Sequence, residues 1–183
     1  MAVFSEYELR EMGIKFASSE TYQTVECIGS CEEELESRTV TKKCRGNVVK
    51  TKTKGTGKGT LKISAHIPYE IYTQAYGMEL DTLKAGIKAY GQDSVHEEFS
   101  ITQLVKDEDG IVKYKAYPNC VIQSGIVRKI ENGAEEVAEL ELEVSVMPDK
   151  YGIGMYEALA SESTSITNWM TAFTPEMAQI ASA

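Results

Sequence analysis

Three groups of residues have types that do chemistry elsewhere: a glycine-lysine run, four cysteines with two histidines, and several runs of carboxylates. Gly55-Thr56-Gly57-Lys58-Gly59-Thr60 resembles a loop whose backbone N–H groups cradle phosphate. That pattern needs a glycine five residues before its Gly-Lys pair and Ser or Thr directly after it. Lys52 and Gly59 occupy those positions, so the motif fails twice and a hairpin tip is predicted instead. Cys27 and Cys31 would share one face of a strand about 13 Å apart, too far for one metal, and no Cys-x-x-Cys pair supports a zinc site. The expected role of Cys27, Cys31, Cys44 and Cys120 is that of small buried thiols.

His66 stands between Ala65 and Ile67 ahead of a predicted helix, with no Gly-x-Ser-x-Gly elbow for it to serve, and His96 is the only other histidine. The carboxylates come as runs, Glu32-Glu33-Glu34 with Glu36 and Glu135-Glu136, whose usual meaning is a solvated face. The single Trp169 and the ten tyrosines gather around no acid in sequence and are assigned to core and interfaces. These observations assign no catalytic residue, no metal and no cofactor, and the expected function is not enzymatic.

Charge is more informative. The formal net charge is −9, yet no Asp or Glu lies between Arg38 and Tyr69, a stretch holding nine of the 19 basic residues. The remainder carries twice the net negative charge of the whole. A basic element on an acidic body needs anions, and another copy of the same body supplies them. The overall sign argues against general attraction to nucleic acid or an acidic membrane.

The elements that must carry these charges read as strands. Ala138, Leu140, Leu142, Val144 and Val146 alternate with Glu139, Glu141, Glu143 and Ser145, giving a core face and an acidic face. Strand-like runs from Phe99 and from Ile111 to Tyr117 flank Asp109-Gly110, a hairpin signal. Further strands are predicted over 121–130, 85–90 and 24–28, with Asn132-Gly133 as a turn. The basic stretch reads as a hairpin with its tip at 54–60, forming an arm at about 42–62. Pro68 to Gly77 predicts a short helix, with proline at its start and glycine at its stop, and 174–180 a weaker one. At 183 residues without a repeat or linker, 1–183 reads as a single domain, mainly β, an antiparallel sandwich or barrel with one short flanking helix and a projecting hairpin arm. The start Met1 to Glu6 shows neither the basic residues nor the apolar run of a signal peptide, so the product is expected to stay where it is made.

The order of Tyr22 to Ser30, the basic Thr39 to Gly46 hairpin, Ser64-Ala65-His66-Ile67-Pro68-Tyr69 with Gly77-Met78, and Ile166-Thr167-Asn168-Trp169 resembles the major tail tube proteins of long-tailed bacteriophages. The likeness is strongest to the short forms from phages and prophages of Gram-positive bacteria. It covers nearly the whole chain. The resemblance implies a structural virion protein of the tail, assembled in the host bacterial cytoplasm, forming hexameric rings that stack into a tube. Its partners would be further copies, other tail proteins, and double-stranded DNA passing without specific binding, with no membrane. The inter-ring contact arm would then hold Lys42, Lys43, Arg45, Lys50, Lys52, Lys54 and Lys58, and Glu139, Glu141 and Glu143 would be the candidate acidic lumen face. Contractile tails and injection machines share the fold, so the tail class stays open. The alternative is a β-sandwich ligand-binding module of carbohydrate-binding type, with the arm as a recognition loop. A nucleic-acid stripe over Arg38 to Lys62 lacks the interleaved aromatics that single strands stack on.

Overall fold

The computed structural model describes residues 3–163, 166 and 168–180. Eight strands follow in chain order: β1 (Glu8–Phe16), β2 (Gln23–Val25), β3 (Ile28–Cys44), β4 (Asn47–Ala65), β5 (Phe99–Lys106), β6 (Val112–Ile122), β7 (Leu140–Met147) and β8 (Tyr156–Leu159). Helix α1 (Tyr69–Ala75) separates β4 from β5, and the C-terminal part adds the short α2 (Trp169–Ala172) and a 3₁₀ turn at Pro175–Ala178. All pairings are antiparallel, in the order β2-β1-β5-β6-β7-β4-β3, with β8 on β6. The fold is mainly β with few helices, as the alternation predicts.

Alternation explains how one sheet serves two apolar layers. On β5, Phe99, Ile101, Gln103 and Val105 point to one side and Ser100 and Thr102 to the other, and all six are buried. The first side closes on Met12, Ile14 and Phe16 of β1, Leu61 and Ile63 of β4, Tyr117, Cys120 and Ile122 of β6, and Leu142, Val144 and Val146 of β7. Helix α1 adds Ile71, Tyr72 and Ala75 to that layer. The second side lies under the C-terminal segment, where Ala116, Tyr156, Ile166, Trp169 and Phe173 cluster and Thr102 Oγ1 donates to the Met170 carbonyl at 3.2 Å. The sheet curls, because β3, last in the strand order, still reaches β5: Gln103 Nε2 lies 3.3 Å from Cys31 Sγ. No described helix is long and apolar enough to cross a membrane.

Several expectations change. The hairpin tip is Arg45-Gly46, both at positive φ (50° and 83°) as a two-residue turn of β-hairpin type requires, and 54–60 is part of β4. The arm therefore differs from the predicted 42–62. Residues 85–90 form no strand, and the strand predicted over 121–130 stops at Ile122. The strand predicted over 24–28 divides into the short β2 and the start of β3. Asp107 explains the hairpin that was read correctly: its Oδ1 accepts from the N–H groups of Asp109 and Ile111 at 3.1 and 2.7 Å, while Gly110 takes φ 82°. Cys27 and Cys44 are exposed and Cys31 half-buried, so only Cys120 is the buried thiol expected. Thr167 of the C-terminal motif lies outside the described residues.

Leu142 is buried and Glu141 is exposed on the opposite face of the same strand. Leu142→Ala is expected to cost about 2–5 kcal/mol by the loss of buried methyls, and Glu141→Gln less than about 0.5 kcal/mol. Urea denaturation midpoints of the two variants check the register; equal shifts would contradict it.

Candidate assembly surface

Strand β4 pairs with β7 from Gly59 opposite Val146 to Ala65 opposite Leu140. Toward its N-terminal end β7 is gone, and from Ser37 opposite Gly55 to Cys44 opposite Asn47 the strands β3 and β4 pair with each other alone. This hairpin leaves the body as an arm about 27 Å long at ordinary strand rise. Its residues are exposed throughout.

The glycines lie at its root. A Cβ on Gly59 would meet the Glu34 carbonyl oxygen at 2.6 Å, and one on Gly57 the Gly152 carbonyl oxygen at 2.7 Å. A Cβ on Gly154 would in turn clash with the Gly57 carbonyl. Glycine is needed there for close backbone approach, which a register shift between Leu35 and Ser37 accompanies.

Register sorts the arm into two faces. Val40 stands opposite Lys52, Lys42 opposite Lys50 and Arg38 opposite Lys54, placing five cations on one face. Thr39 opposite Thr53 and Thr41 opposite Thr51 form the other, with the Thr39 and Thr53 hydroxyls 2.9 Å apart. Lys43 and Arg45 lie at the tip and Lys58 at the root. Among the described residues no carboxylate comes within ion-pair distance of any of these cations. Like charges directly across a strand pair repel, so the subunit alone leaves this face uncompensated.

On the body, Glu141 and Glu143 share the outer face of β7, opposite Ser64 and Lys62 of β4. Glu139 lies just before the strand and accepts from the Ser64 hydroxyl at 2.5 Å, half-buried, so the three acids are not equivalent. Glu143 accepts from Gln123 at 2.9 Å. Lys62 pairs with Glu32 of β3 at 3.5 Å.

A third charged group was not legible in sequence. Lys115 of β6, nearly buried, contacts Glu33 of β3 and Glu6 of the N-terminal segment at 2.5 and 2.8 Å. The buried Tyr117 hydroxyl donates to the same Glu33 oxygen at 2.7 Å. Glu6 also reaches Lys113 at 2.6 Å. Burial opposes the charge on Lys115, yet the two carboxylates more than offset it and hold its pKa above the usual lysine value. On Glu6, burial raises the pKa and the two lysines lower it, with a net lowering. Burial first, and then the charge of Glu33, push the Tyr117 phenol far up. The run Glu32-Glu33-Glu34, read as a solvated face, therefore splits by alternation, Glu33 alone turning inward to bind β3 to β6.

Among the described residues no His, Cys, Asp or Glu cluster could hold a metal ion. His66 is exposed, and His96 bonds the Ile122 carbonyl through Nδ1 at 2.7 Å and the Tyr90 hydroxyl through Nε2 at 3.0 Å.

No family model matches this sequence, and no curated protein matches it. Among solved structures the chain is similar to one in the tube-terminating cap of the anti-feeding prophage, with TM-score 0.49 and 11% identity over 87% of this chain and 95% of that one. It is also similar to a chain in the baseplate of the same particle, with TM-score 0.47 and 12% identity over 86% and 97%. At this level the likeness assigns the chain no role.

Glu33→Ala is expected to cost about 1–3 kcal/mol, because the buried Lys115 and Tyr117 lose their half-buried partner. The Glu6 contribution has a defined pH sign. Its folded pKa lies below the ordinary value, so stabilisation is present above the carboxylate range and is lost as pH falls through the folded pKa. Urea midpoints of the wild type and Glu6→Gln should differ at pH 7 and converge in acid; a gap that widens in acid would contradict the assignment.

Proposed function

We propose that this chain is a structural subunit of a phage-type tail, the tube subunit whose rings stack through the β3–β4 arm. The observation that carries the reading is the arm itself: a hairpin free of the sheet along both edges, with five unpaired cations on one face, on a body of strongly negative charge. Such an element contributes little to the core of its own subunit and suits a contact with another. The sequence resemblance to tail tube proteins supports the same assignment, including hexameric rings, other tail proteins as neighbours, and a place in the virion tail after assembly in the host cytoplasm. Opposed charges set register and encounter rate, while apolar contacts supply affinity.

In this reading Glu139, Glu141 and Glu143 face the channel. A wall that bound phosphate would retain the duplex by counterion release, so a passage for DNA is best neutral or negative. Repeated around a ring, these acids would present one sign to passing DNA and focus the field.

Lys50→Glu, Lys52→Glu and Lys54→Glu combined should leave circular dichroism unchanged and abolish stacking in negative-stain electron microscopy. Tubes formed normally by the triple variant, or a wild type that stays monomeric at high concentration, would overturn the reading. For the channel, Glu139, Glu141 and Glu143 all replaced by Lys should give assembled particles that eject DNA slowly, with relief at high salt through screening. Unchanged ejection would place these acids outside the channel.

A further inference from the structure

The curled sheet does not close on itself through backbone. Among the described residues no ladder joins the outer edge of β3 to another strand, and β3 meets the far side of the curl through side chains. Glu33 binds Lys115 and Tyr117 of β6, and Gln103 Nε2 of β5 lies against Cys31 Sγ. Beside these contacts the seam holds a cavity of about 540 Å³, with Leu9 on one wall, Ser30 and Cys31 on the other, and the buried Gln103 and Lys115 beneath.

The N-terminal segment runs along this cavity, which Glu6 also lines. The Tyr7 N–H donates to the Lys106 carbonyl at 2.9 Å, and side chains hold the described residues ahead of it. Glu6 contacts Lys113 and Lys115 at 2.6 and 2.8 Å. The Lys113 ammonium sits 4.8 Å from the centroid of the Phe4 ring, a cation over an aromatic face.

Two features make this contact releasable. The Glu6 side chain keeps 45% of its exposure, so water already solvates it in place. Each lysine it touches also has a second carboxylate, Glu157 of β8 at 3.0 Å from Lys113 and Glu33 at 2.5 Å from Lys115. Withdrawal of Glu6 therefore leaves no cation unpaired, which is the circumstance that makes breaking a buried pair costly. Glu33 differs, because its removal would orphan the buried Tyr117 hydroxyl.

We propose that the segment ahead of Tyr7 is a releasable latch on the seam. Phe4 and Glu6 hold it shut, and when they let go the cavity opens to solvent while the sheet stays folded. Such local opening belongs to elements with few buried contacts and few backbone bonds. The latch is a property of the single subunit and does not rest on the stacking reading.

Native cysteines supply the probe. In a Cys27→Ser, Cys44→Ser background the remaining thiols are Cys31 at the seam and the fully buried Cys120, which reports global unfolding. Iodoacetamide labelling followed by peptide mass spectrometry gives both rates. Phe4→Ala and Glu6→Gln should each raise the Cys31 rate about tenfold and leave the Cys120 rate unchanged. Sodium chloride at about 1 M should raise the Cys31 rate by screening Glu6, with less effect once Glu6→Gln is present. Phe4→Ala leaves every charge in place. If only Glu6→Gln speeds labelling, the carboxylate acts on ionisation of the thiol and the latch is overturned. Unchanged rates in both variants overturn it too, and so does a parallel rise at Cys31 and Cys120, which would mean that the whole domain opens.

Discussion

Strand β4 lives in two environments, and the rest of the molecule is arranged around the point where one gives way to the other. From Gly59 to Ala65 it is paired on both sides, by β3 and β7, and its Leu61, Ile63 and Ala65 are buried. Before Gly59 it keeps only β3. Ladder hydrogen bonds satisfy the backbone on both sides of the first part and on one side of the second, where side chains meet solvent on either face. Lysine and threonine are tolerated there because nothing must be buried. The boundary is held by close backbone contacts at Gly57, Gly59 and Gly154, where no side chain fits.

The two kinds of charge in the chain follow from this division. Lys115 sits where the sheet curls on itself and is neutralised by Glu6 and Glu33 within the same subunit, at distances that make the cluster part of the fold. The arm cations have no such partners among the described residues, so their electrostatic free energy depends on what approaches from outside. A pair buried at the end of a curled sheet fixes β3 against β6, and β3 in turn forms half of the arm. The inner charges thereby help set the direction in which the outer ones project.

A subunit with unlike poles is suited to repetition. Its acidic body keeps free copies apart through like charge, while the arm brings the opposite sign to one place only. The sheet leaves two kinds of surface available: exposed strand edges along the arm, and the Glu141 and Glu143 face of β7.

Alternation made much of this legible. Leu140 to Val146, Phe99 to Val105, the Asp107 to Gly110 hairpin and the helix after Pro68 could be read directly, since period and turn chemistry are local properties. Strand β1 was missed although Met12, Ile14 and Phe16 alternate with Gly13 and Lys15, because a single short run of mixed residues has little weight until β5 pairs with it. The glycines at 55–59 misled for a physical reason. Glycine suits a turn and a close approach equally, and only the loop at 148–154 settles which is meant. Likewise Glu33 cannot be told from Glu32 or Glu34 until Lys115 and Tyr117 arrive from another strand. By itself the sequence determined the antiparallel β class, the short helix, and the separation of a basic arm from an acidic body, all encoded in neighbouring residues. The tertiary structure decided where the arm begins and which acid turns inward, because each depends on a contact between residues far apart in the chain.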